Sequence, residues 1–196
     1  MLTVVGLGNP GEEFKDTRHN TGRMILLWLK EAYDFSDWEA NKKAKALVSL
    51  GKIGQTKMQL VLPENFMNNS GRSLPYFIKS KKDLANLVVI HDDLDLPSGK
   101  FKISFNKSAG GHRGVASIIK ALKSQEFTRI RIGLSRLTSK GKLKKPIGEA
   151  AVEKHILGKY NPSEIRTLKK LAKKIGEALL IIAEEGREKA MSIFNQ

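Results

Sequence analysis

Apolar residues fall into two rhythms along the chain. The runs over residues 2–7 and 87–90 are almost wholly aliphatic, without polar alternation, and predict strands covered on both faces. Residues 129–134 predict a third strand, and 100–105 alternate like a more exposed one. Residues 46–50 and 57–62 flank Gly51-Lys52-Ile53-Gly54 and predict a hairpin. Elsewhere the spacing shifts to three and four. Residues 21–33 predict a helix with Met24, Leu27, Trp28 and Leu29 inward, and 71–81 a helix resting on Leu74, Phe77 and Ile78. Residues 115–122 predict a helix after a glycine cluster. Pro162 and Ser163 open a long helix with Ile165, Leu168, Leu171, Ala172, Ile175 and Leu179 on one stripe; Lys169, Lys170, Lys173 and Lys174 take its other side. Strands alternating with helices predict an α/β fold, a single domain over 1–196 with a mixed, largely parallel central sheet flanked by helices. A basic flexible loop is expected over 135–148 and a C-terminal helical segment over 162–194.

Composition narrows the classes. With 196 residues, 40% of them hydrophobic, the chain suits one well-packed domain. The absence of cysteine excludes disulfides and thiolate metal sites, and fits a reducing compartment such as the cytoplasm. Residues 2–7 lack a basic lead-in and end in Gly and Pro, unlike a signal peptide, and no apolar run reaches the roughly 18 residues of a membrane span. The formal net charge is +15. Residues 139–174 hold ten Lys and one Arg against three Glu, an excess that favours a polyanionic partner such as nucleic acid.

The candidate chemistry lies beyond the strands. Gly6-Leu7-Gly8-Asn9-Pro10-Gly11 satisfies G-x-G-x-x-G, but a dinucleotide site needs a helix starting inside that fingerprint. Here Asn9-Pro10 and a polar stretch follow instead, and His19 comes next, so a nicotinamide enzyme ranks a distant third. The 87–90 strand empties into His91-Asp92-Asp93-Leu94-Asp95. If the two strands are neighbours, Asp92 reaches His19, the pairing a general base needs; Asp93 and Asp95 are expected in a solvated turn. The 63–71 segment, with Phe66, Met67 and Asn68, forms one candidate ligand wall. The 108–114 segment, with Gly111, His112 and Arg113, forms another whose free amides suit a phosphate or an oxyanion. His91, Asp92, Asp93, Asp95 and His112 have no metal-site spacing, and no metal or cofactor is expected.

Taken together, these segments resemble bacterial-type peptidyl-tRNA hydrolase. The matching motifs are Val5-Gly6-Leu7-Gly8-Asn9-Pro10-Gly11, Thr17-Arg18-His19-Asn20-Thr21-Gly22, Phe66-Met67-Asn68-Asn69-Ser70-Gly71, His91-Asp92-Asp93-Leu94-Asp95-Leu96-Pro97, Gly110-Gly111-His112 and Arg129-Ile130-Arg131-Ile132-Gly133. The resemblance implies a monomeric, metal-free enzyme that hydrolyses the ester between a peptide and the 3′ end of tRNA. It implies that His19 is the base, Asp92 its partner and Asn9 the discriminator of N-blocked substrate. Phe14, Phe66, Met67, Asn68, Gly111, His112 and Arg113 would bind substrate. Three positions depart from the pattern: Arg113 replaces Asn, Phe14 replaces Tyr, and Ser104 replaces a basic residue that meets tRNA phosphate. Lys100, Lys102 and Lys107 are the phosphate contacts expected instead. The alternative is an RNA-binding, splicing-factor-like relative with lost or reduced activity; an intact base–carboxylate pair favours hydrolysis.

Overall fold

The computed structural model describes residues 1–196. Its strands are β1 (Leu2–Gly6), β2 (Glu39–Asn41), β3 (Ala46–Ile53), β4 (Thr56–Pro63), β5 (Leu87–Pro97), β6 (Phe101–Phe105), β7 (Thr128–Leu137) and β8 (Leu143–Lys144). They line up as β2-β3-β4-β1-β5-β7-β6, with β8 on β7. The four central strands are parallel: β1 pairs with both β4 and β5, and β5 with β7. The outer pairings are antiparallel. The expected mixed, largely parallel sheet is therefore present.

Alternate residues of these strands build two apolar layers. Val4, Val88, Ile90, Ile130 and Ile132 face α1 (Thr21–Ala32) and α5 (Pro162–Glu184). Val5, Leu87, Val89 and Val61 face α3 (Arg113–Leu122) and a 3-10 segment, Met67–Tyr76. Three helices complete the order: α2 (Lys81–Ala85), α4 (Glu149–Leu157) and α6 (Arg187–Phe194). Asn161 caps α5 by accepting from the amides of Ser163 and Glu164, and Glu164 accepts in return from the Asn161 amide, with Pro162 in the first turn.

Several elements differ from expectation. Strand β5 runs to Pro97 because β7 keeps pairing with it, His91 opposite Arg131 and Asp92 opposite Ile132. The acidic cluster is thus ladder, and Asp93 is no solvated turn residue but is held by Arg131 Nε at 2.6 Å. The hairpin turns at Gly54-Gln55, since Ile53 pairs with Thr56. Gly51 lies within β3, where a Cβ would come 2.5 Å from the Phe35 ring. In α1, Ile25, Leu26 and Leu29 are fully buried, whereas Leu27 and Trp28 sit half-buried on its flank. The helix expected over 71–81 is instead the 3-10 segment followed by α2; Pro75 lies near the end of the first, and Ser80 caps the second. The 135–148 stretch is partly strand: β7 continues to Leu137, and β8 folds back on it with Leu143 opposite Leu137. The apolar pattern predicts neither strand β2 nor helix α4.

Candidate active site

The site forms where β1 ends beside Ile90 and β5 runs on past it. Gly22, at the start of α1, lies so close that a Cβ would stand 2.1 Å from the Ile90 carbonyl oxygen. Leu7 locks that approach, donating its amide to Ile90 O at 3.0 Å and accepting from Arg23 N at 2.9 Å. The 3-10 turn Arg18–Asn20 just ahead of α1 therefore delivers His19 onto β5.

Asp92 is 4% exposed, and both its oxygens are engaged. His19 Nδ1 lies 3.0 Å from Oδ2 and 3.2 Å from Oδ1, and His112 Nε2 lies 3.0 Å from Oδ1. The amides of Gly114 and Val115 donate to His112 Nδ1 at 3.2 and 3.3 Å. That nitrogen must carry the lone pair, so Nε2 carries the proton that Asp92 accepts. An ionised carboxylate has nothing to donate, so His19 Nδ1 donates as well and Nε2 keeps the lone pair. Burial resists charging His19, but the adjacent Asp92 outweighs it and raises its pKa above the ordinary imidazole value; Arg113 pulls the other way. Burial likewise opposes ionisation of Asp92, yet His19 and His112 hold its pKa well below the usual carboxylate range. Behind them, His91 donates Nδ1–H to the Asp92 carbonyl at 2.7 Å, with its ring 4.7 Å from that of His112. Burial drives the His91 pKa far down and keeps it neutral.

Asn9 is fixed with its donor free. Its Oδ1 accepts from Met67 N at 2.7 Å, which leaves Nδ2 for the cleft. Asn20 clamps the Asn9 backbone from both sides, accepting its N–H at 2.8 Å and donating to its carbonyl at 2.9 Å.

The cleft itself has a volume of about 740 Å³. Phe14 and Phe66 meet edge to face at 6.4 Å along one wall. Val152, Ile156 and Leu157 of α4 line it too. Asn9, Phe14, His19, Phe66, Met67, Asn68, Asp92, Gly111, His112 and Arg113 all border it, so the structure gathers these sequence candidates in one place. Lys100, Lys102 and Lys107 are exposed and lie outside the lining. Lys102 faces Arg131 across β6 and β7, beside the Asp93 that Arg131 holds. Ser104 is buried opposite the buried Arg129. Two expectations change. The α3 amides of Gly114 and Val115 are not free for an oxyanion, because His112 caps them. Arg113 is ion-paired with Glu149, the first residue of α4.

Sequence reasoning missed Asn20, Glu149 and the α4 wall. Asn20 lies in the Thr17–Gly22 motif with no local pattern to mark its contact with Asn9, and Val152 and Ile156 carry a four-residue spacing that two preceding turn residues, Pro146 and Gly148, obscure. His19, Asp92 and His112 offer three ligand atoms within 4.8 Å of one another. A metal needs lone pairs, whereas His112 turns an N–H toward Asp92, so the donor set suits hydrogen bonds better than a cation.

A family model described as peptidyl-tRNA hydrolase matches residues 3–196. The peptidyl-tRNA hydrolase of Carboxydothermus hydrogenoformans is 37% identical over 197 residues, covering 100% of this chain and 99% of that protein. That of Thermoanaerobacter sp. strain X514 is 39% identical over 196 residues, covering both in full. The crystal structure of the Acinetobacter baumannii peptidyl-tRNA hydrolase superposes with a TM-score of 0.86 at 27% identity, covering 100% of this chain and 94% of that one. With family model, relatives and fold in agreement over its whole length, the chain belongs to the peptidyl-tRNA hydrolase family.

Proposed function

We propose that this member of the family cleaves the ester of N-blocked peptidyl-tRNA with a water activated by His19, releasing peptide and free tRNA. The observation that carries the reading is the His19–Asp92 contact at 3.0 Å, with His112 on the other carboxylate oxygen. Nε2 of His19 takes a proton from water as the oxygen attacks the ester carbonyl. Asp92 stabilises the imidazolium and holds the ring tautomer. On collapse, the imidazolium returns its proton to the departing ribose oxygen, so no covalent enzyme intermediate forms. Asn9 Nδ2 donates to the first peptide carbonyl, selecting acylated amines. Phe14, Phe66 and Met67 pack against the peptide, while Asn68, Gly111 and Arg113 border it. The reaction runs without metal in a monomeric cytoplasmic protein, and Lys100, Lys102 and Lys107 contact tRNA phosphate.

The direct assay is release of the blocked amino acid from N-acetyl-aminoacyl-tRNA, with free aminoacyl-tRNA as control. His19→Ala should lose roughly 10²–10⁴-fold in rate while keeping tRNA affinity and fold. Activity should survive exhaustive chelation. A His19→Ala enzyme with most of its turnover removes the base assignment, and activity restored only by a divalent cation removes the metal-free mechanism. No observation favours the RNA-binding alternative.

A further inference from the structure

Helix α5 carries a second feature that hydrolysis does not use. Arg166, Lys169, Lys170, Lys173 and Lys174 are all exposed on it, at spacings of three and four that place them on one face. None has a carboxylate within ion-pair distance. Arg166–Lys170, Lys170–Lys174 and Lys169–Lys173 are like-charged i,i+4 pairs, and each destabilises the helix that bears it. The nearest acid at the head of the helix, Glu164, is committed to Arg18 and Arg136. A self-repelling stripe of this kind is relieved by a polyanion.

The stripe is also tied to the site. Its head adjoins a shallow groove of about 430 Å³ lined by Trp28, Lys159, Tyr160, Ile165 and Lys169, with Asp16 as the one acid. The Lys169 ammonium lies 5.8 Å from the Trp28 ring centroid. The catalytic segment is fastened to the same place: Arg18 N donates to Gly158 O, Tyr160 N to Asp16 O, and Thr21 shares a hydrogen bond with the Tyr160 hydroxyl.

We infer that the basic face of α5 is an RNA-docking surface that receives the double-helical body of the tRNA whose ester lies in the cleft. The inference rests on the proposed function for the identity of the RNA. The charge on that face matches a phosphate backbone, and its attachment beside His19 lets one molecule reach both. Such contacts position the substrate and do no chemistry.

The test compares two esters in the full-length enzyme, N-acetyl-aminoacyl-tRNA and the same N-acetyl-aminoacyl group on a short CCA oligonucleotide. The variant carries Lys169→Gln, Lys170→Gln, Lys173→Gln and Lys174→Gln. For tRNA its KM should rise about tenfold or more with kcat unchanged. The salt dependence should flatten by about threefold per lost contact for each fourfold change in salt. KM for the oligonucleotide should not move. The thermal midpoint should hold or rise, since repulsion is removed. Equal effects on both esters, or none on either, overturn the inference. Binding of deacylated tRNA, read by Trp28 fluorescence in a Trp38→Phe background, decides independently of catalysis. Loss of that binding in the glutamine variant supports the docking surface even if the wild type hydrolyses neither ester, an outcome that sinks the proposed function alone. Unchanged tRNA binding, or Trp28 responding to anionic phospholipid vesicles and not to tRNA, overturns it.

Discussion

Asp92 sets the protonation of His19 against the pull of burial. In the proposed mechanism the neutral ring takes the proton, so the rate should climb as pH rises through the His19 pKa. Because Asp92 raises that pKa, the acidic limb of kcat should lie above the ordinary imidazole value. Asp92→Asn removes the anion while burial remains, so the limb should move down and the plateau should fall, though less than in His19→Ala. A pH–rate series on both forms checks the sign; an upward move contradicts the assignment. Arg113 acts in the opposite sense, lowering the His19 pKa. Arg113→Asn should therefore shift the limb slightly upward. Its pair with Glu149 is largely exposed, 65% and 79% by side chain, so stability should change by less than about 1 kcal/mol. A larger drop in unfolding free energy would mean that Arg113 fastens α4. An unmoved limb would place its guanidinium too far away to matter.

At the scale of elements, the site depends on how closely α1 meets the sheet. Gly22→Ala places a methyl into the Ile90 carbonyl, and overpacking of this kind costs about 1–3 kcal/mol. Because α1 follows directly on His19, kcat should fall together with stability; full activity with normal melting would show that α1 shifts without moving the base. The same elements explain what was legible in the sequence. Strand β1, helix α3 and the capped start of α5 are local matters of apolar run, turn and cap, and they appear close to where the pattern places them. The pairing of His19 with Asp92 was legible because each comes after a buried aliphatic run, 2–7 and 87–90. The reach of β5 was not, since Asp92 and Asp93 are kept in the strand by β7, some forty residues later. Pairing to a distant strand leaves no mark in local hydropathy. The 3-10 segment defeated the periodicity at Leu74, Phe77 and Ile78, because its small residues let it lie against α3, as Gly71 N does in donating to Ser117 Oγ. Glu149 was invisible for the same reason: its partner Arg113 is set by tertiary structure alone.

For the whole molecule, a net charge of +15 acts as a field as well as a set of contacts. Association with tRNA should quicken at low salt and slow steeply as salt rises, while kcat at saturation stays level. Stopped-flow association rates against ionic strength give the slope; a flat profile would mean that the charge serves solubility only. The position of β1 has a consequence in time. Val5 pairs with Val61 on one side and Val89 on the other, so β1 gains its first neighbour only when β4 has been made and its second only when β5 has. At about 5–20 residues per second, roughly 4–17 s of synthesis separate Val5 from Val89. Both edges of this apolar segment are bare until β4 has been made, and one stays bare until β5 follows. His19 has already been made, but Asp92, its partner in the proposed mechanism, has not. The growing chain is itself a peptidyl-tRNA, and during this interval it holds only half of the machinery that would cut its own tether.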